Sequence, residues 1–563
     1  MHKKKAFIAK DKNGALVIKI VFPFNFDDLA NIKSLDGRKY RNVKEKKWWE
    51  CPINSENVEK LVIWDFRVST KLMKIYMKNT QPAIDPNKLE DIVIPGLKGT
   101  LRDFQNKGVS FGVKKKCRVL IGDEMGLGKT CQSLALAQLY YRSRPLIIVR
   151  PASAVNWSDE INDWLSNPEH TELGTYDPKI KLSKEGIYLV NYGAFANTYE
   201  TVIDEDGKKH LVEVRGTGWV DHLAEINPKM AIFDECHKFK NNKANRTKSI
   251  KKFSKRIDKI IMLSGTPILN RPIEIFNAVN ILDPTAIPSY WEYVHKYCAA
   301  KNNGFGLIVT GSSNTIELHD RLVKTVMIRR LKKDVLKELP DKVYSYLPIK
   351  LDNKKEYFTA ENDFIEFVRR SKGIVAATKA SNAQALSEIE GLKQIAVKGK
   401  LNEAINWITD FLESDEKLVI FAVHKFVIEA LMKAFPKISV KIDGSVNRDN
   451  RKKAVADFQN KKEIQLFVGN IQAAGTAITL TSSSNVAILE LPWTPGELDQ
   501  AIDRCHRIGQ KDSVTVHYLL AANTIEEKIA RLLDKKRIIL ESVLDGKAPD
   551  SGSLISELMN DYI

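Results

Sequence analysis

Val119-Leu120-Ile121-Gly122-Asp123-Glu124-Met125-Gly126-Leu127-Gly128-Lys129-Thr130 is the stretch that decides the fold. An apolar run with the character of a buried strand leads into glycines and then a helix-forming segment, so the chain turns sharply between the two. Glycines at 126 and 128 let main-chain N–H groups face a phosphate, and the next helix points its positive end at it. Lys129 can then reach the β and γ phosphates of a nucleotide, and the Thr130 hydroxyl can hold Mg²⁺. The pattern G-x-x-x-x-G-K-[ST] puts Gly where this chain has Asp123. A glycine turn can arise by chance, so its meaning rests on its company.

Working outward, apolar runs that read as buried parallel strands, each followed by a helical pattern, occur in two series. The first comprises Val119–Ile121, Leu146–Val149, Ile187–Val190, Ala231–Phe233 and Ile260–Leu263. The second comprises Leu418–Phe421, Ile438–Val440, Gln465–Val468, Val486–Leu489 and Val514–His517. They predict an α/β protein of two doubly wound lobes, over 86–285 and 400–545. Residues 286–399 read as helical insertions and a hinge, 546–563 as a tail, and Thr201–Trp219 as a surface hairpin in the first lobe. Residues 1–85 differ: alternation in Ala15–Phe22 and the basic aromatic turn Lys44–Trp49 predict a small α+β accessory domain, and Pro82, Pro86 and Pro95 suit a linker after it.

The second part that phosphate chemistry requires is a carboxylate at a neighbouring strand end. Ala231-Ile232-Phe233-Asp234-Glu235-Cys236-His237 supplies two. Asp234 is placed to hold Mg²⁺, and Glu235 to orient and deprotonate an attacking water; an isolated acidic pair would more often cap a helix. The third part is positive charge brought to the γ-phosphate as negative charge builds there. Gln500-Ala501-Ile502-Asp503-Arg504-Cys505-His506-Arg507 puts Arg504 and Arg507 on one helical face by their i, i+3 spacing, although such pairs usually form a solvated face.

In order over residues 98–545 these stretches resemble the motifs of helicase superfamily two, specifically the SNF2-like DNA translocases: Leu101–Gln105, Asp123–Thr130, Pro151–Trp157, Asp234–His237, Leu263–Pro267, Ile442–Ser445, Ala473–Thr481 and Gln500–Gln510. The resemblance implies two RecA-like lobes, and it explains Asp123, since the family's loop commonly reads Asp-Glu-Met before Gly-Leu-Gly-Lys-Thr. It implies that Gln105 reads the adenine and that Gln500, Arg504 and Arg507 complete the ATP site. The same ATP site is lined by Asp123, Glu124, Met125, Gly126, Leu127, Gly128, Lys129, Thr130 and Gly475. Cys236 replaces the commoner Ala of Asp-Glu-Ala-His, a small-for-small exchange at a buried position. Glu490–Gly496 followed by Gln500, with Ile32–Tyr40 leading to Trp48–Ile53, looks most like the annealing-helicase branch and its HARP module.

Such a motor would grip DNA phosphates near Ser153, Asn156, Gly475 and Thr476, with Ser264 and Thr266 linking nucleotide state to grip. Lysines beside Trp48 and Trp49 suit a branched or single-stranded nucleic acid, but the residues leave open that these indoles, and Trp493, are core. The charge of +18, from 88 Lys plus Arg against 70 Asp plus Glu, favours a polyanionic partner yet also fits a solvated basic surface.

The expectation is thus a DNA-dependent ATPase using ATP and Mg²⁺, remodelling or rewinding double-stranded or forked DNA without sequence preference. A monomer is expected, together with replication, recombination or transcription proteins as partners. A strand-separating DNA or RNA helicase, a chromatin remodeller and a DNA-binding scaffold with a dead nucleotide site are the alternatives. Six scattered cysteines suggest neither disulfides nor zinc, and no signal peptide or membrane span is expected. That points to a soluble intracellular protein, in bacterial or virus-infected cytoplasm before the nucleus.

Overall fold

A computed structural model describes residues 4–546 apart from 12–13, 24–25, 44–45, 65, 74–83, 141–144, 153, 155, 175, 178, 196–197, 204–208, 215–217, 288, 303–306, 310, 372–378 and 475–477. Strands β1 (Lys5–Lys10), β2 (Leu16–Val21), β3 (Lys39–Val43), β4 (Lys46–Cys51) and β5 (Arg67–Val68) form a sheet in the order β3-β4-β2-β1-β5. The alternation in β2 sends Ile18 and Ile20 into a core with Ile32, Leu35, Val58 and Leu61, contributed in part by helices Phe26–Lys33 and Ser55–Ile63.

The first lobe contains β6 (Arg118–Ile121), β7 (Leu146–Arg150), β8 (Thr171–Leu173), β9 (Ile187–Asn191), the hairpin β10 (Thr198–Ile203) and β11 (Lys209–Val214), β12 (Met230–Asp234) and β13 (Lys259–Leu263). A two-stranded ribbon, β14 (Lys301–Asn302) and β15 (Leu307–Ile308), and β16 (Met327–Ile328) follow. Its main sheet runs β16-β6-β13-β12-β7-β9-β8, and every pairing in it is parallel. Apolar layers cover both faces, which is why the strands read as unbroken apolar runs.

The second lobe has β17 (Val343–Ile349), β18 (Leu418–Ala422), β19 (Ser439–Ile442), β20 (Leu466–Asn470), β21 (Asn485–Ile488) and β22 (Thr515–Ala521), in the all-parallel order β17-β22-β21-β18-β20-β19. All ten strands expected in the lobes are present, nine of them within two residues at both ends; the last, expected over Val514–His517, runs four residues further, to Ala521. The segment expected to be helical insertions needs correction, because it also contributes β16 to the first sheet and β17 to the second. Both are edge strands; β16 has two residues, and β17 is mostly exposed or half-buried, so neither carries a continuous apolar signal.

One helix joins the lobes a second time. In Ile525–Asp545, Ile525, Ile529, Leu532 and Leu533 lie in the core of the second lobe, whereas Leu540, Val543 and Leu544 lie in that of the first. Among the described residues no helix is long and apolar enough to cross a membrane.

Candidate functional site

In parallel sheets, ligand chemistry gathers beyond the carboxyl ends of strands, and here three neighbouring ends of the first lobe supply it. After β6 the loop turns through left-handed Gly126 and Gly128, with φ of +82° and +73°. A side chain at either would be strained and obstructed: a Cβ on Gly126 would meet Arg507 Cβ at 2.7 Å, and one on Gly128 would collide with the Gln105 amide. Gly128 caps the helix Lys129–Leu139, on whose second residue Thr130 sits. The Lys129 ammonium donates to the main-chain oxygens of Asp123 at 2.9 Å and Glu124 at 3.2 Å. Burial pulls it down to about 8 against the opposing pull of Glu235, Asp123 and Asp234.

The other loop side chains seat the cradle instead of facing into it. Asp123 is fully buried and its carboxylate accepts from Arg330 Nε at 3.0 Å, Arg330 N at 3.1 Å and Gln132 Nε2 at 3.0 Å. The expectation that Asp123 lines the nucleotide is therefore corrected: it locks the loop to the chain beyond β16. Glu124 accepts from Lys332 N at 2.7 Å, and Met125 and Leu127 are buried. Gln105 uses both ends of its amide locally, accepting from Arg102 N at 2.9 Å and donating to Leu127 O at 3.2 Å.

At the end of β12, Asp234 Oδ2 accepts the Trp157 indole N–H at 2.9 Å. Glu235 follows in the left-handed region with φ 52°, a conformation that a side chain of its kind adopts only when its surroundings impose it. Glu235 Oε2 lies 3.1 Å from His237 Nδ1 and accepts from Ser264 Oγ at 3.1 Å. Burial and the adjacent Glu235 charge push Asp234 upward. Burial would raise Glu235 too, but His237, Lys129 and Arg504 hold it down as a carboxylate. Cys236 is buried, as its small size allows.

From β13 the chain continues the path into the second lobe. The Ser264 hydroxyl accepts from Thr266 N at 3.3 Å, and the Thr266 hydroxyl accepts from Gln500 Nε2 at 2.9 Å. Glu235, Ser264, Thr266 and Gln500 thus form one hydrogen-bonded relay across the cleft. Arg504 Nη1 and Arg507 Nη1 donate to Ile478 O at 3.4 and 3.1 Å, and Arg504 lies within electrostatic reach of Glu235 and Asp234.

Sequence reasoning missed the strap that braces this cleft, because its partners lie far off in sequence. Arg329 Nη1 donates to Gly122 O at 2.8 Å and Gly265 O at 3.2 Å, while Nε meets Asp545 at 2.5 Å. The Lys332 ammonium, buried, lies 2.9 Å from Asp503 and 3.8 Å from Glu124, so it bridges the loop of one lobe and the arginine segment of the other. Lys342 joins Asp503 at 2.8 Å. Burial, with Lys332 and Lys342 nearby, pulls His506 down to about 4; as a neutral ring it donates from Nε2 to Pro340 O at 2.8 Å. A lysine- and arginine-rich run after a strand was the available signal, and it reads equally as surface.

Of the expected nucleic-acid contacts, Asn156 stands at the start of the helix Trp157–Trp164 with its side chain making no cap hydrogen bond. Ser153, Gly475 and Thr476 lie outside the described residues. Trp48 and Trp49 take opposite faces of β4. Trp49 packs on the accessory core beside Tyr40, at 5.3 Å between ring centroids, which corrects its expected contact role. Trp48 lies on the other face with Lys19 Nζ 3.8 Å from its centroid and its indole N–H donated to Glu50 at 2.8 Å. Trp493 packs against the core of the second lobe, donates to Glu390 at 3.2 Å and has Lys393 over its ring at 4.6 Å, so its stacking role is corrected to a packing one.

Two parallel-sheet lobes with a phosphate loop, an acidic strand end and arginines meeting across a cleft define a helicase-type motor core. The chain belongs to the SNF2 family: the SNF2-related domain matches residues 104–401, and the helicase conserved C-terminal domain matches residues 399–509. It is 32% identical over 482 residues to the DNA annealing helicase and endonuclease ZRANB3 of Homo sapiens, covering 82% of this chain and 42% of that protein. It is 31% identical over 543 residues to the SWI/SNF-related matrix-associated actin-dependent regulator of chromatin subfamily A-like protein 1 homolog of Caenorhabditis elegans, covering 93% of this chain and 74% of that one. The chain thus spans well under half the length of the first of these relatives. Among solved structures it is similar to the Sulfolobus solfataricus SWI2/SNF2 ATPase core in complex with dsDNA, at 25% identity over 81% of this chain and 96% of that one, with a TM-score of 0.37. Both curated relatives named are animal proteins, which lends no support to the expected bacterial or viral cytoplasm.

Proposed function

We propose that this chain is a DNA-dependent ATPase that translocates along DNA without reading its sequence, and that it remodels or rewinds forked or branched DNA. The observation that carries the reading is the relay from Glu235 through Ser264 and Thr266 to Gln500, which joins the hydrolytic carboxylate to the opposite lobe. Family membership, and the annealing-helicase description of a relative, support the DNA substrate.

The residues fit ATP and Mg²⁺. The two left-handed glycines allow the loop to turn where a side chain would collide with Arg507 or Gln105, the Lys129 ammonium rests on main-chain oxygens of the loop, and Asp234 and Thr130 offer oxygen donors of the kind Mg²⁺ prefers. Held by Asp234 and Thr130, Mg²⁺ would supply positive charge against the negative charge that develops on the phosphate. Lys129 and the loop N–H groups hold the β and γ phosphates. Glu235, kept ionised by His237 and Lys129, orients the attacking water and accepts its proton. Arg504 and Arg507 approach from the second lobe and stabilise the transferring phosphoryl group. Because Gln500 reports lobe closure to Glu235 through the hydroxyl and main-chain N–H of Thr266 and then the Ser264 hydroxyl, hydrolysis is fastest in the closed cleft, and product release lets it reopen. Asn156, with Ser153, Gly475 and Thr476, holds DNA phosphates in turn as the lobes move, and Trp48 with its flanking lysines presents the accessory sheet to branched DNA.

Turnover measured with single-stranded, duplex and forked DNA and with RNA tests this. Stimulation by DNA, greatest with forks, is expected; stimulation by RNA alone, or none, refutes it. Rewinding is read separately, by the re-closure of a bubble held open by a single-strand-binding protein.

A further inference from the structure

The helix Trp157–Trp164 touches three things at once. Its first residue, Trp157, is almost completely buried and donates its indole N–H to Asp234 Oδ2 at 2.9 Å. The residue before it, Asn156, begins the helix without spending its amide on a cap. Two residues on, Asp159 forms an ion pair at 2.7 Å with Lys452 of the second lobe, and Glu160 lies within electrostatic reach of Arg507. Nearby, Glu172 pairs with Arg448 of the second lobe at 2.7 Å. A short helix that starts at the expected DNA grip is therefore fastened to the moving lobe at its exposed face and to the carboxylate of the nucleotide site at its buried end.

We propose that Trp157 is a positioning residue that couples DNA contact and lobe closure to the orientation of the Asp234 carboxylate. An indole N–H is a donor only, and its ring is wedged in the core of the first lobe with Ile161 and Leu165, so the bond is aimed by packing and turns with the helix. A shift of the helix on binding DNA would swing the donor and rotate the carboxylate. The inference rests on the reading of Asp234 as the Mg²⁺-side carboxylate and of Asn156 as a DNA contact.

The test uses the full chain with Trp157→Phe, which keeps an aromatic ring and removes the donor. Calorimetry would give the affinity for a non-hydrolysable ATP analogue with Mg²⁺, with and without a duplex, beside the turnover ratio in the same two conditions. Coupling is reciprocal, so the analogue must also change DNA affinity by the same factor. Trp157→Phe is expected to shrink the DNA-to-no-DNA turnover ratio about tenfold and bring the analogue's affinity ratio to about one, with nucleotide-free DNA affinity within about twofold. Equal loss in both conditions, leaving the ratios intact, overturns the proposal and marks a packing residue. Should Trp157→Phe fail to fold, the exposed pair decides: Lys452→Asp should shrink the turnover ratio about threefold and added Asp159→Lys restore it, and unchanged ratios overturn the proposal. A wild-type chain indifferent to DNA sinks the proposed function itself, a result distinct from stimulation that survives Trp157→Phe.

Discussion

The two lobes share one plan, an all-parallel sheet between apolar layers, yet the polar groups at their strand ends are treated differently. In the first lobe Lys129 rests on main-chain oxygens and Asp234 is pushed upward by burial beside Glu235, an arrangement in which bound phosphate and cation have work left to do. In the second, several charges at the strand ends pair within the protein. Glu490 accepts from Val423 N at 2.7 Å and His424 N at 2.8 Å, His424 reaches Glu390 at 3.1 Å, and Lys400 meets Glu526 at 2.7 Å with both buried. On the proposed function, the difference fits a first lobe organised around a ligand and a second organised around its own rigidity, a part that would deliver Arg504 and Arg507 to a fixed place.

The contrast breaks most visibly at Glu235. Glu235→Gln, or Lys129→Ala, should lower DNA-stimulated turnover about a thousandfold while DNA binding by fluorescence anisotropy stays within about twofold, because the loss falls on chemistry. Next is Asp123→Ala, which strands the buried Arg330 guanidinium and should cost about 3–5 kcal/mol of stability, read by denaturant unfolding. If Asp123 were instead a phosphate-facing group, stability would hold and only nucleotide affinity would fall. Lys332→Met tests the bridge between lobes: Asp503 keeps Lys342 and Glu124 keeps the Lys332 main-chain N–H, but the ammonium that joins the two carboxylates goes, so kcat should drop about tenfold with KM for ATP little changed. Parallel loss in KM would mean the strap only seats the loop.

The smallest effect sharpens the rigid side. Hydrogen bonds donated by its ring to the Glu390 and Glu490 carboxylates raise His424 to about 9, above its ordinary value near 6.5. A raised histidine contributes stability that is fully present below about pH 6.5 and fades as pH climbs through about 9. The melting temperature of the protein should therefore decline modestly over that window, and His424→Gln should flatten the decline. An identical decline in the variant would assign it to other groups.

Much of this was legible in the sequence because the signals were local. The ten strands announce themselves since parallel strands buried on both faces need apolar residues at every position, and the loop, Asp234–Glu235 and Arg504–Arg507 sit in short stretches whose spacing carries their chemistry. What stayed hidden is long-range. Arg330 finds Asp123 across 207 positions, and Lys332 finds Asp503 across 171, so neither neighbourhood hints at the partner. Trp157 was visible only as part of a motif, its tie to Asp234 lying 77 residues away. Trp48 and Trp49 could not be separated by composition, since strand alternation decides which one meets the core.

The helix Ile525–Asp545 carries a last consequence. At about 1.5 Å per residue its 21 residues make a rod roughly 30 Å long, with one end embedded in each lobe. Such a crossbeam forbids simple separation of the lobes and leaves them a swivel about its length. Heat should then dismantle both lobes in one transition, and a proteolytic cut within the beam should split that transition in two.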